Sequence, residues 1–123
     1  MQIAYWIVAG ILALAYLAAG GLKVVRPPRK LAESGLTWAP DFPTWTVKTI
    51  GLLEVLGAIG LILAPLTGIA TVLAPLAALG LALVQIGAII THIARGEVKT
   101  LVVNVVLLLL AVAAAWLGFA TWA

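Results

Sequence analysis

The stretch TVKTIGLLEVLGAIGLILA, residues 46–64, decides the fold. Beyond Lys48 it is almost continuously apolar and free of proline. Its length is close to the roughly 20 residues that a helix needs to cross a hydrocarbon core about 30 Å thick. In lipid only helices and closed barrels satisfy the backbone, and an unbroken apolar run lacks the alternation of a barrel strand. A membrane-spanning helix is therefore expected here. It carries one carboxylate, Glu54, between Gly51 and Gly57.

Three further runs have the same character, which places spans at about Ile3–Leu22, Thr46–Ala64, Gly68–Thr91 and Val98–Ala120. The expected fold class is all-α: a polytopic four-transmembrane-helix bundle, one membrane domain over residues 1–123. Composition agrees. The chain is 65% hydrophobic and 9% charged, whereas soluble domains run about 25% charged. So small a chain has too little interior to hide that much apolar surface, and a lipid bilayer must cover the rest. The first run has no basic segment before it, so it reads as a span and not as a cleavable signal.

All seven basic residues, Lys23, Arg26, Arg29, Lys30, Lys48, Arg95 and Lys99, lie in or beside the first and third connections. The positive-inside rule makes the Pro-rich loop 23–45 cytoplasmic and puts both termini on the non-cytoplasmic side. The net charge of +3 is thus a matter of topology and anionic headgroups, and a nucleic-acid partner is not expected. Trp38 and Trp45 fall at the cytoplasmic interface, and Tyr5, Trp6, Trp116 and Trp122 at the other.

The connections differ. Pro27, Pro28, Pro40 and Pro43 prevent one helix from running through the first, and Gly20-Gly21 reads as the end of the helix before it. Between them, Arg29–Trp38 suits a short amphipathic segment with Leu31, Leu36 and Trp38 dipping inward. Pro65 to Gly68 reads as a tight, uncharged turn, and Pro75 as a kink or loosening near the outer end of the third span. Gly96 stops that span at its other end, with Arg95 suited to the helix dipole. Small residues at Ala9/Ala13, Ala15/Ala19, Gly57/Gly60 and Ala74/Ala78/Ala82 allow helices to approach closely.

Helix rise sets the depth of the polar side chains. Counted from the cytoplasmic boundary, Glu54 is roughly 12 Å deep, Tyr16 roughly 10 Å, and Gln85 and Asn104 roughly 9–10 Å. These four residues come from four different spans yet share one level. His92 lies on the Gln85 face, about two turns nearer the cytoplasm. Glu54, Gln85, His92, Asn104 and Tyr16 are therefore the candidate ligand-binding residues, forming a polar layer open to the cytoplasm. The plainer alternative is interhelical glue, with Glu54 hydrogen-bonded to Gln85, Asn104 or Tyr16 to fix packing. His92 also suits a water-facing helix end. Lys23 and Lys48 read as snorkelling topology determinants, within reach of an acidic ligand.

Much chemistry is excluded. Without cysteine there are no disulfides, thiolate metal sites or iron–sulfur clusters. One histidine cannot ligate haem from both sides, and Glu54 with His92 is too few ligands for a metal site. No Ser/His/Asp set, phosphate loop or dinucleotide fingerprint is present.

Three stretches resemble the DoxX-like membrane proteins: Ala19-Gly-Gly-Leu-Lys23, Gly51-Leu-Leu-Glu54-Val-Leu-Gly57 running on to Pro65, and Gly87-Ala-Ile-Ile-Thr91-His92. The resemblance implies a four-helix protein of the bacterial inner membrane, with Glu54 and His92 as motif positions of unassigned chemistry. Through relatives tied to a thiosulfate:quinone oxidoreductase and to redox-stress complexes, it brings a quinone or other lipid-like ligand, or a redox partner protein, into consideration. No intrinsic cofactor is expected, and the chain is not expected to be an enzyme on its own. Three functions remain open: a subunit binding a quinone-like or lipid-like molecule, a scaffold whose polar layer only fixes packing, and a small proton-coupled transporter using Glu54. The known four-helix multidrug transporters carry their key glutamate in the first helix, which here has no acid.

Overall fold

A computed structural model describes all residues 1–123. Its helices are α1 (Gln2–Val25), α2 (Pro28–Glu33), α3 (Thr44–Thr67), α4 (Leu73–Ala94) and α5 (Leu101–Trp122), with a 3-10 turn at Ala39–Asp41. The four long helices are each apolar enough to cross a membrane. Only 27 of 123 residues are buried, so most apolar side chains, Ile3, Leu14, Leu83 and Val102 among them, face outward. That much exposed apolar surface has to be solvated by lipid. The protein is a small multi-pass integral membrane protein.

The long helices form a closed ring in which α1 packs on α3 and α5, and α4 packs on α3 and α5. Successive long helices run in opposite directions. The Tyr5 hydroxyl near the start of α1 donates to the Leu61 carbonyl near the end of α3, at 2.7 Å. Thr71, just before α4, donates to the Trp122 carbonyl at the end of α5, at 2.6 Å. All basic side chains therefore sit at the other end, called here the charged end.

Helix ends differ from the sequence expectation by a few residues, the last span for instance starting at Leu101 and not at Val98, and three of them have a local reason. Gly20-Gly21 does not end α1, which continues to Val25. A Cβ on Gly20 would lie 2.7 Å from the Gly51 carbonyl oxygen and 2.9 Å from Glu54 Cβ. Gly20 is thus a crossing point where α1 and α3 touch backbone to backbone, and Pro27-Pro28 ends the helix.

Pro65 does not begin the second turn but lies inside α3, which runs to Thr67 and ends on Gly68 at φ 72°. A proline in a helix leaves the carbonyl four residues earlier without its donor. Here that carbonyl is Leu61, and Tyr5 supplies the missing bond. Tyr5 accordingly points into the bundle, fully buried, and not toward the interface.

The third span begins at Leu73 and not at Gly68. Pro75 is then the third residue of α4, where backbone N–H groups have no intrahelical acceptor in any case, and α4 runs on unbroken. Its other end matches expectation, with Arg95 as the cap and Gly96 at φ 71°.

Lipid tails are as apolar as leucine, so helix association here depends on close packing and hydrogen bonds. The main core joins Tyr5, Leu12, Tyr16, Leu61 and Leu81 with alanines that include Ala9, Ala13, Ala74, Ala78 and Ala82. In the first connection Leu31, Ala39 and Val47 make a second small core, with Leu36 and Trp38 packed against it. Of the amphipathic segment expected at Arg29–Trp38, only the part up to Glu33 is helical, as α2, while Leu36 and Trp38 pack inward from the turn that follows.

Candidate functional site

Each long helix sends one or two polar side chains inward at the charged end. Tyr16, Gly20 and Lys23 share one face of α1, at i, i+4 and i+7. Glu54 follows Gly51 on the buried face of α3, Gln85 and His92 are i and i+7 on α4, and Asn104 lies in the first turn of α5. These helix faces converge on one cavity of about 460 Å³. Tyr16, Glu54, Gln85, His92 and Asn104 all line it, together with Lys23. A second depression, about 420 Å³ between α3 and α4, is lined by Leu, Gly, Ala and Val alone.

The acid has a partner that the sequence reading does not assign. Lys23 Nζ donates to Glu54 Oε1 at 2.5 Å, and both side chains are buried. The Nζ also stands 5.7 Å from the centre of the Trp38 ring, close enough for a cation–π contact. Gly20 and Gly51 make this pair possible: a Cβ on Gly51 would lie 2.6 Å from Lys23 Cβ. Lys23 is therefore no snorkelling residue. Its one trace in the sequence is its place seven residues after Tyr16, on the same face, which a snorkelling lysine could equally occupy. Lys48, by contrast, donates to the Val24 carbonyl at 2.6 Å and caps the end of α1.

The amides are arranged differently. Gln85 and Asn104 are 4% and 9% exposed, yet Gln85 Oε1 and Asn104 Nδ2 have no hydrogen-bond partner in the chain. The Tyr16 hydroxyl donates to the Leu81 carbonyl at 3.3 Å. None of these three contacts Glu54 through a hydrogen bond, so the interhelical glue weighed as the alternative is not made by them, and Lys23 is the partner of Glu54. Unpartnered buried amide groups are rare, because each carries a desolvation cost of about 1–3 kcal/mol.

The first connection covers the cavity. Leu36, Trp38 and Phe42 line it, and the two aromatic rings meet edge to face at 5.7 Å. A polar clasp holds this segment down on the α4–α5 connection. Glu97 Oε2 accepts from the Thr37 hydroxyl at 2.6 Å, and its Oε1 from Arg95 Nε at 2.9 Å. His92 Nδ1 lies 3.1 Å from the same Oε1. Arg95 also donates to the Thr37 carbonyl at 3.3 Å and pairs with Asp41. The Thr37 hydroxyl, with lesser help from His92 and Arg95, holds the Glu97 carboxyl below its usual range. His92 is thus half-buried and shared between cavity wall and clasp.

Apolar side chains, Ile50, Val84, Val103 and Leu107 among them, make up most of the remaining wall. The cavity has the size and lining of a small-molecule pocket, which commonly runs to about 300–1,000 Å³. No curated protein and no solved structure matches the chain. A family model does, over residues 7–114, a range that includes every polar residue of the cavity wall. The chain belongs to the DoxX-like family.

Proposed function

We propose that this protein is a ligand-binding membrane subunit, holding one quinone-like or lipid-like amphipathic molecule in the cavity at its charged end. The observation that carries the reading is the pair of buried, unpartnered amide groups on Gln85 and Asn104 in the wall of a cavity whose ionisable side chains are paired within the chain. A native bundle rarely leaves such atoms bare, and a ligand head would satisfy them. In this reading the cavity opens to the cytoplasm of a bacterial cell, with both termini outside, as the positive-inside rule and the family resemblance support. Any redox role would fall to the bound molecule or to a partner protein, since the chain has no cysteine.

A scaffold function is the second reading, and the Lys23–Glu54 pair favours it, because that pair already fixes α1 against α3. Native mass spectrometry of the detergent-purified protein, followed by organic extraction, separates the two. One amphiphile bound per chain supports the binding subunit. A bare protein supports the scaffold.

A further inference from the structure

Every ionisable side chain in the cavity wall already has a partner within the chain. Lys23 is paired with Glu54 at 2.5 Å, and His92 with Glu97 at 3.1 Å. The Tyr16 hydroxyl is taken up by the Leu81 carbonyl. Among the buried polar atoms of the wall, those without any partner belong to neutral groups, the amide oxygen of Gln85 and the amide nitrogen of Asn104. Turning either amide about its axis exchanges oxygen for nitrogen but leaves the group uncharged.

From this we infer that the site selects an amphiphile with an uncharged head, a hydroxyl or carbonyl on an apolar chain, and rejects anionic and cationic heads. The inference rests on the binding reading above and narrows it to a ligand class. A hydroxyl or carbonyl can pair with the free amide groups while the apolar walls take the first part of its chain. An ionic head would have to leave water without finding a free counter-charge, which is strongly unfavourable. It could bind only by breaking the Lys23–Glu54 pair and stranding the other member.

The test uses three probes with the same ten-carbon tail: monodecanoylglycerol, decyl sulfate and decyltrimethylammonium. They are offered together, at equal concentration, to delipidated protein in a non-ionic detergent, and adducts are counted by native mass spectrometry. The expected result is a one-to-one adduct of the neutral probe, exceeding either ionic adduct by about tenfold or more. Gln85→Met and Asn104→Leu should each reduce that adduct by about tenfold, the effect of one lost buried hydrogen bond. Both variants put an apolar side chain of similar length in place of an unpartnered amide, and circular dichroism matched to the parent checks that they fold. Equal uptake of all three probes, or preference for an ionic one, overturns the ligand class while leaving the cavity a binding site. No adduct from any probe overturns the binding reading as well.

Discussion

Lys23 Nζ lies 2.5 Å from Glu54 Oε1, with the two side chains 9% and 2% exposed. The pair joins α1 to α3 directly beside the contact of Gly20 with Gly51. An ion pair so placed contributes less through attraction than through what its loss would leave behind, a buried charge with no partner. Lys23→Met should therefore destabilise the bundle by about 3–5 kcal/mol. The double variant Lys23→Met with Glu54→Gln should recover most of that loss. Unfolding in mixed detergent, read by far-UV circular dichroism, gives both values. Additive losses would show that the two residues do not act as a pair.

A second dependence links Tyr5 to Pro65, although the two sit on different helices. Tyr5 donates to the Leu61 carbonyl that Pro65 leaves without a helical donor. Tyr5→Phe should cost about 1–3 kcal/mol, the cost of an unsatisfied buried group. In a Pro65→Ala background, where the new alanine would supply the helical N–H, the same change should cost little. Equal losses in both backgrounds, measured as a double-mutant cycle, would refute the link.

Much of the fold is legible in the residues, because a bilayer imposes so few solutions on an apolar run of spanning length. Helix ends are less legible, since the local habits of Gly20 and Pro65 suggest helix termini at both. In the folded chain Gly20 serves a helix crossing and Pro65 is compensated by a side chain from α1. The polar layer is visible from helix rise alone, and Tyr16, Glu54, Gln85, His92 and Asn104 do line one cavity. Lys23 escapes that reading because a lysine near a helix end satisfies the snorkelling rule equally well. What draws it inward is the absence of a Cβ at Gly51, and spacing within one helix cannot reveal that.

That absence can itself be tested. A methyl at Gly51 would meet Lys23 Cβ at 2.6 Å and the Gly20 carbonyl at 2.7 Å. Gly51→Ala should push α1 from α3 and cost about 1–3 kcal/mol, as overpacking generally does. Gly10, with nothing within 4 Å of an added Cβ, provides the control. Gly10→Ala should be neutral or gain up to about 1 kcal/mol from helix propensity. Similar losses at the two positions, by the same unfolding assay, would remove the special role of the crossing.

The clasp over the cavity should respond to acid. Hydrogen bonds from Thr37 above all, then from His92 and Arg95, hold the Glu97 carboxyl below its ordinary value. A depressed carboxylate contributes stability that is present above its unfolded pKa, about 4.3, and lost as pH falls through the lower folded value. Residues 34–43 should thus stay protected from hydrogen exchange at neutral pH and loosen only in acid below about pH 4. Glu97→Gln should loosen them at neutral pH. Unchanged protection in that variant would show that the apolar contacts of Leu36, Trp38 and Phe42 hold the cover alone.

The decisive quantity is how much amphiphile co-purifies with the protein when the cavity is open and when it is filled. Ala88 lines the cavity, and Ala88→Phe would place a ring in it. Extraction and native mass spectrometry of both proteins, with matched folding by circular dichroism, should find about one bound molecule per wild-type chain and almost none on the variant. Equal amounts on both proteins, or none on either, would contradict a binding role for this cavity.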